Sequence, residues 1–118
     1  MKFFQHSSGD FVASTKIHRL PMVYAIATPD LQYVKFGKTT DFKSRFSNIQ
    51  TSCPLSLGLW MSIRSPRYDE IELELHRMFA HRNTRGEWFC LDPDEIDGAM
   101  DFFELTNKNI REVSHALL

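Results

Sequence analysis

The sequence predicts an α+β domain: a small three-stranded antiparallel or mixed sheet flanked by helices, with additional C-terminal helices. Three observations predict it. An unbroken apolar run, Met22–Ala27, is followed across a short turn by a second extended run, Tyr33–Gly37. Leu55–Ile63 alternates apolar with small or aromatic residues, the period of a strand. Helix-start signals stand at Asp41, at Ser65-Pro66 and at Asp92.

The elements follow in order. Residues 1–20 read as an N-terminal arm or small hairpin, with Lys2–Gln5 and Phe11–Thr15 flanking Ser7-Ser8-Gly9-Asp10. Met22–Ala27 reads as a buried strand, Thr28-Pro29-Asp30 as a turn, and Tyr33–Gly37 as its antiparallel partner. Thr40 or Asp41 can accept from the free N–H groups of a helix whose apolar face is Phe42, Phe46 and Ile49. Pro54 lies beyond its end, and Leu55–Ile63 is the third strand. Ser65 as a cap with Pro66 at the first helical position starts a second helix burying Ile71, Leu75, Met78 and Phe79. Arg85-Gly86 turns into a short extended piece, Glu87–Leu91. Asp92 and Glu95 form a capping box for a helix with Ile96, Ala99, Met100 and Phe103 on one side. A last helix from Thr106 carries Ile110, Val113 and Leu117. The main domain is thus expected over residues 21–92, with acidic helices over 93–118 packed on it.

The 118 residues amount to one domain, and 42% hydrophobic content is enough for a core without disulfide or metal staples. Cys53 and Cys90 do not make a secreted disulfide framework, no apolar run approaches bilayer length, and no signal-peptide pattern is present, so a soluble cytoplasmic protein with no membrane partner is expected. Net charge is −1, but it is unevenly spread. Residues 35–85 hold nine Lys or Arg against five acids, and residues 86–118 hold eight acids against two bases. A basic middle beside an acidic tail suits a local polyanion site, although mixed surface charge is also the norm.

Within the basic middle, Tyr24 and Lys35 can meet across the hairpin, and Arg45 lies at the rim of the first helix's apolar face. Glu72 and His76 are four residues apart on the second helix and share a side of it. A phenol, an amine, a guanidinium and a carboxylate form a coherent set for phosphodiester hydrolysis. Glu72 could hold Mg²⁺ or Mn²⁺, Arg45 could grip non-bridging oxygens, and a phenol or desolvated amine could take a proton from water. Lys38, Lys43, Arg82 and Arg85 are expected nucleic-acid contacts. Each of these residues, taken alone, also reads as ordinary solvated surface.

The quoted motifs resemble the GIY-YIG nuclease superfamily in its compact phage and bacterial branch. The resemblance rests on Val23-Tyr24-Ala25, Lys35-Phe36-Gly37 followed by Lys38-Thr39-Thr40-Asp41, Arg45, Ile49-Gln50-Thr51 with Cys53-Pro54, Glu72 with Leu75-His76, and Gly86-Glu87-Trp88-Phe89. It implies a metal-dependent endonuclease. Tyr24 and Lys35 would position or deprotonate water, Arg45 would stabilise pentavalent phosphorus, Glu72 would bind the metal, and His76 would assist. The first motif lacks the family's Gly-Ile, and Ile49 stands where the family often has His or Tyr. DNA is the expected substrate, with RNA as the alternative, and a homodimer or partner protein would add grip.

Trp88 and Phe89 read first as packing for a short strand, and Glu87 as a group that could orient Arg45 or His76. Two other classes compete: a catalytically weak or inactive module that binds nucleic acid or protein, and a zinc site from Cys53, His76, His81 and Cys90, whose spacing matches no familiar zinc motif.

Overall fold

A computed structural model describes residues 20–116; the expected N-terminal arm and Leu117 lie outside the described residues. The elements run β1 (Met22–Ala27), β2 (Val34–Thr39), α1 (Phe42–Thr51), β3 (Gly58–Arg64), α2 (Tyr68–Met78), a 3₁₀ turn (Ala80–Arg82), β4 (Asn83–Arg85), β5 (Trp88–Phe89) and α3 (Pro93–Ala116). The sheet order is β3-β1-β2-β5-β4, with every neighbouring pair antiparallel. The class is the expected one, but the sheet has five strands rather than three. The extra pair is a hairpin laid along β2. Gly86 supplies its positive φ of 56°, and the Asn83 side-chain amide donates to the carbonyls of Gly86 and Trp88, closing the turn.

β1 is buried along its whole length because it is central and covered on both faces. Val23, Ala25 and Ala27 face Leu75, Phe79, Ala99 and Phe103 from α2 and α3 and the turn after α2. Met22, Tyr24 and Ile26 face the other way, onto Phe42 of α1, with Phe46 and Ile49 beside it. Two apolar layers explain why this strand shows no polar alternation.

β3 departs from its expected form. It begins at Gly58, and Leu55 is 49% exposed. Gln50 holds the preceding segment instead: its side chain accepts from the Leu57 N–H at 2.8 Å and donates to the Leu55 carbonyl at 2.9 Å. A bulge opposite Ala25 and Ile26 then absorbs Trp60. One extra residue inverts the facing of everything beyond it. Leu57 and Leu59 therefore join the α1 side, while Met61 and Ile63 join the α2–α3 side.

The helix signals fare better. Asp41 caps α1 by accepting from the Ser44 N–H at 3.2 Å. Ser65 accepts from the Arg67 N–H at 3.0 Å, and α2 starts just after, at Tyr68. Asp92 and Glu95 form the reciprocal capping box, at 3.0 and 3.1 Å. Of the expected helix faces, Leu75, Phe79, Ala99 and Phe103 are buried, but Met78 and Met100 are 40% and 45% exposed. The expected second C-terminal helix is absent as a separate element. No Gly or Pro interrupts residues 104–108, so α3 runs straight through Thr106, and the Asn107 amide donates to the Ser62 carbonyl, tying its middle to β3.

Candidate functional site

The site forms where β5 stops pairing with β2. Phe36 turns both backbone groups away from β1: its N–H donates to the Glu87 carbonyl at 3.2 Å. Its carbonyl has no strand beyond it and accepts from His76 Nε2 at 2.9 Å. A carbonyl only accepts, so this bond places the proton on Nε2 and leaves the Nδ1 lone pair available. The imidazole is also set edge-on against the buried Phe89 ring, at 5.1 Å.

Glu72 stands one helical turn before His76 and is 14% exposed. Its Oε1 lies 3.8 Å from Lys38 Nζ, and its buried Oε2 has no hydrogen-bond partner among the described residues. Burial first, and then the neighbouring Glu87 carboxylate, raise its pKa above the usual carboxylate range; His76 and Lys38 act in the opposite sense. Glu87 arrives from the β4–β5 turn. One ligand atom each from Glu72, His76 and Glu87 all lie within 4.8 Å of one another. Two crowded carboxylates, one with an orphaned oxygen, and an imidazole with a fixed tautomer fit a small divalent cation chemically.

Tyr24 enters from the α1 face. Its ring lies across Gly37, its β2 partner; a Cβ there would stand 2.3 Å from the phenolic oxygen. The hydroxyl is buried without a hydrogen-bond partner among the described residues. Burial, then the Glu87 carboxylate, push its pKa up to about 12; Arg45 pulls it down and Glu72 raises it further. Of the two expected roles, positioning or deprotonating water, the raised pKa favours the first, because a phenol pushed that way holds its proton at neutral pH. Arg45, exposed on α1, belongs to the same field, since its charge reaches that hydroxyl.

Lys35, 15% exposed on its side chain, pairs with Glu87 at 3.4 Å and sits 5.5 Å over the Trp88 ring. Glu87 therefore pairs with Lys35 and, of the two partners expected for it, Arg45 or His76, neighbours His76, together with Glu72. Sequence reasoning left Glu87 out of the metal set, although Gly86-Glu87-Trp88-Phe89 was the signal that marked it.

The expected nucleic-acid contacts divide. Lys38 is held by Asp69 at 2.6 Å beside Glu72. Lys43 is exposed on α1, and Arg85 is exposed on β4. Arg82 is committed to Asp92 at 2.7 Å and Glu95 at 2.6 Å, at the start of α3. The zinc alternative finds no support in placement. Among the described residues, the only three-membered cluster of metal-binding type is Glu72, His76 and Glu87. His81 instead pairs with Glu95, and Cys53 packs beside the α1 cluster.

This end of the antiparallel sheet thus gathers carboxylates, an imidazole, a phenol and cations, the kinds of group that acid–base or metal-assisted chemistry on an anion uses. Residues 22–104 match the family model of the T5orf172 domain, and the chain belongs to that family, a phage-associated domain of the nuclease type. This corrects the expected GIY-YIG membership: the family that matches is a different one, itself described as having a nuclease-like fold. No curated protein and no solved structure matches the chain. Among the described residues, no helix is long and apolar enough to cross a membrane.

Proposed function

We propose that the protein is a metal-dependent endonuclease that hydrolyses phosphodiester bonds, with DNA as its substrate, in the cytoplasm. The observation that carries this reading is the Glu72–His76–Glu87 cluster, with ligand atoms within 4.8 Å, set beside Tyr24, Lys35 and Arg45. Glu72, joined by Glu87 and His76, would hold Mg²⁺ or Mn²⁺, and Glu72 Oε2 supports this because it otherwise lacks a partner. When bound, the cation supplies Lewis-acid stabilisation of charge on phosphate oxygens.

The chain's own groups do the rest. Arg45 offers a planar fork to the non-bridging oxygens as negative charge grows on them. Tyr24 donates its phenolic proton in a hydrogen bond to an oxygen of the phosphate or of the attacking water. Lys35 holds that water by hydrogen bonding. With Tyr24 keeping its proton, the Glu87 carboxylate beside Lys35 is placed to accept the proton that the water loses. One copy has one such cluster and nicks one strand; cutting both strands together calls for a homodimer or a partner protein.

The test is plasmid cleavage in Mg²⁺ or Mn²⁺ by wild type and Glu72→Ala. Cleavage by wild type with a loss of about 10²-fold or more in the variant is expected, the scale on which single charge-stabilising groups act. Equal cleavage by both would remove the site assignment. No cleavage of DNA or RNA by either would leave a binding module.

A further inference from the structure

We infer that the cavity beside Trp88 receives a nucleobase of the bound strand, so that Tyr33 and Trp88 read or grip the base next to the reacting phosphate. This rests on the nuclease reading only for the position of the phosphate. The cavity measures about 220 Å³ and is lined by Tyr33, Leu55, Arg85 and Trp88, with Cys53 at its side. Tyr33 is 38% and Leu55 49% exposed, so two of the molecule's exposed large apolar side chains converge on it. Neither is needed by the two core clusters.

Three features select a nucleobase rather than another apolar group. The lining includes two aromatic rings, which offer flat faces for stacking whatever the base. Arg85 is part of the lining, and Arg also stacks on bases and attracts phosphate. Trp88 is the residue that the cavity and the candidate site share, since it lines the cavity and Lys35 Nζ lies 5.5 Å over its ring. A ligand that puts an anion near Lys35 and a flat apolar ring against Trp88 has the chemistry of a nucleotide. Phe89, by contrast, is wholly given to the core. Of the Trp88-Phe89 pair, only Trp88 is placed for a ligand.

The variant of choice is Tyr33→Ala. The hydrogen bonds at this position are made by the backbone, with Thr28, and survive the change. A short single-stranded oligonucleotide carrying one 2-aminopurine is titrated with the full chain in EDTA, so that no cleavage occurs. Wild type is expected to bind with a change in 2-aminopurine fluorescence. Tyr33→Ala should bind about tenfold more weakly, the scale of one lost base–aromatic stack, and Tyr33→Phe should restore binding. An abasic nucleotide at the same position should weaken wild type but cost Tyr33→Ala nothing further. Equal binding by wild type and Tyr33→Ala, an equal abasic penalty in both, or no binding by wild type would overturn the inference. Cleavage in Mg²⁺ is read separately. Cutting with indifference to Tyr33 sinks the pocket and keeps the nuclease; base-dependent binding without cutting does the reverse.

Discussion

Tyr24 and Glu72 both spend stability. Each buries a polar atom that has no hydrogen-bond partner among the described residues, an arrangement that burial makes unfavourable. Tyr24→Phe removes the orphaned hydroxyl while keeping the ring against Phe42 and Gly37. It should unfold at the same temperature as wild type or higher while losing cleavage, and a thermal melt beside a cleavage assay checks both. For Glu72 the sign follows from proton binding. Its folded pKa is raised above the ordinary value of 4.5, so the folded state holds the proton more tightly, and stability falls as pH rises through the raised value. Glu72→Gln should therefore raise the melting temperature of the metal-free protein at neutral pH. The gain should vanish below about 4.5, where folded and unfolded carboxyls are both protonated. Gly37→Ala is the opposite case. A methyl 2.3 Å from the Tyr24 oxygen, between paired strands, should destabilise by at least about 1–3 kcal/mol, measured by denaturant unfolding.

At the scale of elements, the caps were legible, and of the short strands β5 was legible within the extended piece Glu87–Leu91, while β4 and the pairing of both with the sheet were not. Asp41, Ser65 and the Asp92–Glu95 box act through neighbours a few residues away, so local spacing suffices to find them. The Glu72–His76 pairing was legible for the same reason, because the helical period alone sets it. β4 and β5 span three and two residues, too few to display a period. Glu87 reaches Glu72 only because that hairpin docks on β2, a long-range event that the Gly86–Phe89 motif marks but does not place. The Trp60 bulge was hidden because period-2 alternation runs unbroken through it in the sequence while the facing inverts in space. Gly86 offers a test of the hairpin: an alanine at φ 56° should cost about 1 kcal/mol and loosen the placement of Glu87. Reduced metal affinity, measured by calorimetry with Mn²⁺, should accompany it.

For the whole molecule, the basic middle and acidic tail settle into one body, with Ala99 and Phe103 of α3 completing the core that Val23 and Phe36 begin. Phe103, 2% exposed and stacked near Phe36, anchors that layer. Phe103→Ala should cost about 3–5 kcal/mol in chemical unfolding. Net charge understates the basic middle because the acids of α3 sit apart from Lys35, Lys43 and Arg45 along the chain and cancel them only in the sum.

The candidate site draws Tyr24 and Arg45 from one side of the sheet and Glu72 and His76 from the other. Neither half holds the full set of groups alone. A chain still being made, or one that has shed either layer, holds phenol and guanidinium without carboxylates, or carboxylates without guanidinium. Under the proposed reading, competence to cut would thus be a property of the finished molecule, and a partly folded copy would be harmless to the nucleic acid around it.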